Sequence, residues 1–302
     1  MMKRRNYDRE KNFHRGFIFK RQNIMKKVKY KGKNRYKEFL SAAKVISKKI
    51  SKIEGVVGIL ATGGIGRGYC DDYSDLDLIV YVDDKRVKKI EKYIAIGSLI
   101  FKNIALDTPV ESYQRALKHR SPSPYWSQVM RWDRENSQIL FDTEHKIENL
   151  LKEKLVFPNW EQKKLLKKYS DGVEDHLKYN FEMWEKRGSL INLADSLIKA
   201  TKYIILWIYA KNKKFQPYLP KWLFYYLENN FVPEAKYLDI IKKVYLNPVE
   251  TAVQAKRIRT ELIELSKNIG IKFNYQNLKD IFKQDGKNWE KASEKTKHYL
   301  SW

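Results

Sequence analysis

Two aspartates one residue apart, Asp75 and Asp77, stand at the head of an apolar run, Leu78-Ile79-Val80-Tyr81-Val82. In a strand, side chains two residues apart share a face, so both carboxylates aim at one point. Two bare carboxylates so placed repel each other unless a cation lies between them. A hard divalent ion meets that need, and Mg²⁺ typically takes one or two carboxylates together with phosphate oxygens. Two such ions ~3.5–4 Å apart can align an attacking hydroxyl and polarise a phosphate for in-line displacement. The same stretch, GGIGRGYCDDYSDLDLIV (63–80), opens on the pair Gly63-Gly64. Without a Cβ, glycine lets backbone N–H groups come close to a phosphate. Arg67 adds a charged donor and Ser74 a hydroxyl beside the aspartates. Taken together, the residue types suit a metal-held nucleoside triphosphate, with glycines on the phosphates and aspartates on the metals.

The elements that must position these residues follow from periodicity. Residues 38–53 place Phe39, Leu40, Ala43, Ile46, Ile50 and Ile53 on one helical face, ended by Gly55. Residues 56–63 read as a short buried strand leading into the glycine turn, and 75–82 as a second strand. A helix is expected over 84–97 and a third strand over 98–108, stopped by Pro109. The order helix, strand, turn, strand, helix, strand makes a small mixed-sheet unit. After residue 160 the period changes. Residues 188–212 and 247–270 carry broad apolar helical faces, and 160–186 and 275–300 also read as helical. The expected fold class is α+β: a small mixed-sheet domain at 38–157 followed by an all-α helical bundle at 158–302, with a basic tail at 1–37. Met25, inside that tail, offers a second possible start.

The stretch 63–80 resembles the signature of the polymerase-beta-type nucleotidyltransferase superfamily. In that signature a small pair is followed about ten residues later by Asp-x-Asp or Asp-x-Glu in an apolar strand. Gly63-Gly64, Arg67-Gly68 and Ser74-Asp75-Leu76-Asp77 match it. Gly64 stands where serine is commoner. In outline the helical half, with its Leu-Pro-Lys-Trp at 219–222, is similar to the aminoglycoside and lincosamide branch. The resemblance implies a third carboxylate from a later strand, acting as metal ligand or as base on the acceptor hydroxyl. Asp107 is the first choice, Glu111 the second. It also implies that Lys221 contacts the triphosphate, with Lys199 and Lys202 as competitors.

Other residues have plainer readings. Cys70 has no neighbouring His or Lys in sequence to activate it, and the five histidines lack metal-ligand spacing. The aromatic run 222–226 suits either a base-stacking surface or a helical core. The single cysteine excludes an intrachain disulfide and points to a reducing, cytoplasmic setting. The apolar run 203–210 is far short of the ~20 residues that span a bilayer, so no membrane partner is expected. The basic N-terminus lacks the ~7–15-residue apolar core of a secretory signal.

Residues 1–37 hold 15 Lys or Arg against two acids, about half of the formal net charge of +25. Such an excess suits nucleic acid or any polyphosphate ligand. Two functional classes follow. In the first, the chain moves a nucleoside monophosphate, AMP from ATP in the leading case, to a hydroxyl of a small-molecule acceptor and releases pyrophosphate, with two Mg²⁺ ions. In the second, the acceptor is an RNA end held through the basic tail, or the chain is a non-catalytic basic nucleic-acid-binding protein. No aromatic-and-basic pattern of a single-strand reader is present, which ranks the small acceptor first.

Overall fold

The computed structural model of the 302-residue chain describes residues 32–97, 100–101, 104–218 and 238–274. The basic tail up to residue 31, Lys221, the aromatic run 222–226 and the expected helix at 275–300 lie outside them. The chain divides into two compact units. One takes in residues 32–120 and Asp133–Glu153, and the other Ser121–Trp132, 154–218 and 238–274.

The first unit is built on a six-stranded mixed sheet. Helix α1 (Tyr36–Ile50) precedes strand β1 (Val56–Ala61), short helix α2 (Gly63–Arg67) and strand β2 (Leu76–Val82). Helix α3 (Val87–Gly97) leads to β3 (Ile100–Phe101), β4 (Ile104–Asp107), β5 (Val110–Ser112) and α4 (Tyr113–Lys118). Helix α5 (Gln128–Glu135), whose residues up to Trp132 belong to the second unit, is followed by strand β6 (Gln138–Asp142) and helix α6 (Lys146–Lys154). The strand order is β3-β4-β2-β1-β6, with β5 also on β2.

Alternation along β2 explains its two faces. Leu76, Leu78, Val80 and Val82 join Phe39, Ala43 and Ile46 of α1 and Ile90 of α3 in one apolar cluster. Asp77, Ile79 and Tyr81 therefore face the other way. The strand expected over 98–108 is instead a hairpin: β3 pairs antiparallel with β4, Ile100 opposite Ala105 and Phe101 opposite Ile104. The polar pair Lys102-Asn103 interrupts the apolar run, but periodicity reports burial and not chain direction.

Strands β4 and β5 run parallel to β2 with one register. Asp77 pairs with Asp107, and Tyr81 pairs with Glu111. They are a single extended run along β2, interrupted at Thr108-Pro109, where proline offers no N–H to the ladder. The backbone compensates in part, since Val80 N–H donates to the Pro109 carbonyl at 3.0 Å.

The second unit is helical. Helix α7 (Asn159–Glu174) continues through a π-helical turn (Asp175–Asn180) into α8 (Phe181–Lys186). Helices α9 (Leu190–Lys211), α10 (Leu238–Leu246) and α11 (Ala252–Ile269) follow. The buried side of α9 carries Leu193, Leu197, Thr201, Ile204, Ile205 and Ile208, the face its helical period specifies. Helix α11 begins at a Thr251 side chain that accepts the Gln254 N–H, and stops at Gly270 with φ +100°. Within this unit the fully buried Arg131 pairs with Glu161, donates to the Val156 carbonyl at 2.9 Å, and lies over the Phe215 ring. The chain is thus α+β, a small mixed sheet with flanking helices followed by a helical region. Among the described residues no helix is long and apolar enough to cross a membrane.

Candidate active site

The first unit gathers its acids on the face of the sheet turned away from the α1 core. Asp75 immediately precedes β2, and Asp77 is its second residue. Asp107 is the last residue of β4 and sits in register beside Asp77. Paired residues of neighbouring strands share a face, so all three carboxyl groups belong to one side of the sheet. Asp75 and Asp107 are exposed, and Asp77 is half-buried. Burial, then the charge of Asp75, pushes the Asp77 carboxyl up to about 6. The charges of Asp133 and Asp107 add to the rise, and Arg67 opposes it.

The glycine turn meets Asp77 directly. Thr62 N–H donates to the Asp77 carbonyl at 3.0 Å, which ties the end of β1 to the head of β2. Gly63 has φ +52°, and a Cβ there would fall 1.5 Å from Asp77 Oδ2. Only glycine allows that approach. Gly64 is buried for a different reason, because a Cβ there would lie 2.8 Å from Cys70 Sγ. Cys70 itself is fully buried, and burial pushes its thiol up to about 12, which makes it an inert packing residue. The Ser74 hydroxyl is engaged within its own turn, accepting the Asp71 N–H at 2.9 Å and donating to Asp71 Oδ1 at 3.0 Å. Its sequence placement beside the aspartates therefore does not translate into a hydroxyl directed at them.

Glu111 lies on the same face as Asp107, four residues further along the run. Its carboxylate is held by the buried Arg134 guanidinium at 2.6 Å, and Arg134 Nε donates to the Tyr81 hydroxyl at 2.9 Å. An acid committed to a buried guanidinium is an anchor and is not placed as a base. Lys199 forms a surface pair with Asp195 at 2.7 Å within α9, and Lys202 is exposed on the same helix. Lys221 lies outside the described residues.

Asp133, from α5, is the acid that motif reading missed. Its carboxyl is half-buried, and its charge adds to the rise at Asp77. Burial pushes its carboxyl up, while the Arg134 charge, the polar groups of Thr62 and Gly63, and Arg67 pull it back. Nothing in the local sequence WDRE distinguishes this aspartate from a solvated helix residue.

The donors are chemically suited to a divalent cation: hard carboxylate oxygens, with a charge imbalance at Asp77 that a cation relieves. Among the described residues no three His, Cys, Asp or Glu side chains are already gathered closely enough to hold a metal ion.

No family model matches the chain, and no curated protein matches it. Among solved structures it is similar to a nucleotidyltransferase-like protein from Exiguobacterium sibiricum, at 15% identity and a TM-score of 0.37, over 75% of this chain and 73% of that one. It is also similar to spectinomycin adenyltransferase AAD(9) from Enterococcus faecialis, determined with ATP and spectinomycin. That likeness has 12% identity and a TM-score of 0.31, over 75% of this chain and 99% of that one. At these identities and TM-scores neither neighbour fixes what this chain binds or transforms.

Proposed function

We propose that this chain is a Mg²⁺-dependent nucleotidyltransferase that moves a nucleoside monophosphate, AMP from ATP in the leading case, onto a hydroxyl of a small molecule and releases pyrophosphate. The observation that carries the reading is the register of β4 on β2. It sets Asp107 beside Asp77, on the face where Asp75 and the Gly63 backbone also converge. Asp75 and Asp77 would hold the metal. Bound Mg²⁺ supplies Lewis-acid polarisation of the α-phosphate and neutralises charge on the pyrophosphate as it leaves. Asp107, exposed at the rim, either completes the ligand set or takes the proton of the acceptor hydroxyl. The acceptor oxygen forms a bond to the α-phosphorus, the bond to the bridging oxygen of pyrophosphate breaks, and the proton passes to the base. Gly63 lets its backbone come up against the Asp77 carboxylate, Gly64 packs on Cys70, and Arg67 supplies a positive charge near Asp77.

The test is incubation with ATP labelled in its α-phosphate, Mg²⁺, and in parallel a panel of polyhydroxylated small molecules or total RNA. Label on a small molecule is the expected result. Label on RNA ends instead moves the acceptor to nucleic acid. Absence of any labelled product, with no stabilisation by Mg²⁺-ATP, overturns the reading.

A further inference from the structure

We propose that Arg134 is a positioning residue that locks the register of the β4–β5 run on β2 and so keeps Asp107 beside Asp77. The proposal rests on the transfer reaction above and adds a residue that no motif in the chain marks. The ladder between β2 and β4 is short, Leu76 with Leu106 and Asp77 with Asp107. Beyond Pro109 the same register resumes in β5, with Val80 opposite Val110 and Tyr81 opposite Glu111. The buried Arg134 guanidinium joins both members of the Tyr81–Glu111 pair. Its Nε donates to the Tyr81 hydroxyl at 2.9 Å, and its Nη2 donates to Glu111 Oε1 at 2.6 Å.

Burial specifies this register only in part. A slip by one residue is opposed, because it would turn Leu106 and Val110 away from the apolar cluster and Asp107 towards it. A slip by two residues keeps every side chain on its face. At ~3.3 Å per residue it would carry Asp107 about 7 Å along β2 from Asp77. The bond from the Val80 N–H to the Pro109 carbonyl does not oppose it, since any residue's carbonyl could accept. The Arg134 fork does oppose it. The same slip would carry Glu111 about as far from the guanidinium, and parting a buried charge from its partner is strongly destabilising. Arg134 acts through the strand and not on the reacting atoms. The lock also explains why Glu111, on the correct face for a third carboxylate, is used elsewhere.

The test replaces the lock with apolar side chains, because exchanging a buried ion pair for hydrophobic residues of similar volume often leaves stability unchanged or raised. The variant combines Arg134→Met, Glu111→Leu and Tyr81→Phe. Nuclear Overhauser contacts between Asp77 and Asp107 in metal-free protein report the register. Calorimetry reports Mg²⁺ affinity, which needs no turnover. Loss of a group that orients a metal ligand typically weakens binding about 10–100-fold. The expected result is a melting temperature close to wild type, weakened Asp77–Asp107 contacts, and Mg²⁺ affinity lowered by about that factor. Tyr81→Phe alone, which leaves the Glu111 carboxylate in place, should show a smaller loss of the same kind. Unchanged Asp77–Asp107 contacts in the triple variant overturn the lock. Lost contacts with unchanged Mg²⁺ affinity reduce Arg134 to a fold residue and also overturn it. Should the triple variant not fold, Arg134→Lys and Tyr81→Phe decide by the same two readouts. A wild-type protein that binds Mg²⁺ but transfers no nucleotide counts against the proposed reaction and leaves the lock to these readouts.

Discussion

At the Asp77 carboxyl, burial and the neighbouring Asp75 charge act in the same direction and raise it from an ordinary 3.8 to about 6. Linkage then fixes the sign. The folded state holds this proton more tightly than the unfolded chain does. The stabilisation is full below about pH 4 and is lost as pH rises through about 6. A shift of about two units corresponds to at most ~3 kcal/mol, reduced because Asp77 is only half-buried. Urea denaturation in the presence of a chelator should show wild-type stability falling between pH 4 and pH 6. Asp77→Asn should flatten part of that fall, and an identical slope in both proteins would remove Asp77 as its source. The same substitution, and Asp75→Asn, removes a proposed metal ligand at almost constant volume. Each should lower the transfer rate at least ~100-fold, about 2.7 kcal/mol of barrier, while the folded protein persists. Activity within about tenfold of wild type would remove the metal assignment.

The strand run β4–β5 assigns different work to two acids of one type of environment. Register alone sets both Asp107 and Glu111 on the face of Asp77. What separates them is Arg134, which takes Glu111 and leaves Asp107 exposed. Glu111→Gln should therefore act on stability, because it strips a buried guanidinium of its charged partner. The cost expected for breaking such a pair is about 3 kcal/mol, readable as a shift in the urea midpoint. A large loss of turnover with unchanged stability would instead return Glu111 to catalysis. Gly63→Ala tests the turn itself. The left-handed φ costs ~1–2 kcal/mol for alanine, and the new methyl meets the Asp77 carboxylate. Transfer should drop by far more than that stability loss implies, measured as kcat beside the melting temperature.

At the scale of the whole molecule, charge is unevenly spread. The first 37 residues carry about half of the +25 excess and few aliphatic side chains. Such a composition adds little to a core. Removal of residues 1–24 should leave the melting temperature of the remaining chain unchanged, and a drop of several degrees would show that the segment packs. If the same segment binds nucleic acid, phosphate contacts supply the affinity without sequence preference. Binding should then weaken steeply, by about 10³-fold or more, between 50 mM and 200 mM salt, where some six or more phosphates are contacted. Filter binding or anisotropy with two unrelated oligonucleotides reads both properties.

The chain by itself determined what depends on local pattern. Alternation set Asp75 and Asp77 on one face, and helical period set the buried side of α9. Each is a property of neighbouring residues, so it survives in a linear reading. Tertiary structure decided what depends on which segments meet. The run over 98–108 turned back on itself as a hairpin, because burial pattern carries no chain direction. Glu111 was drawn to Arg134, a partner from another helix that no local motif announces. Asp133 acts on the Asp77 carboxyl from a helix far along the chain, where its sequence neighbours give no sign of it. Hydrogen bonds and ion pairs between distant elements form only once the sheet register and helix packing are set, and for that reason they are absent from the sequence pattern.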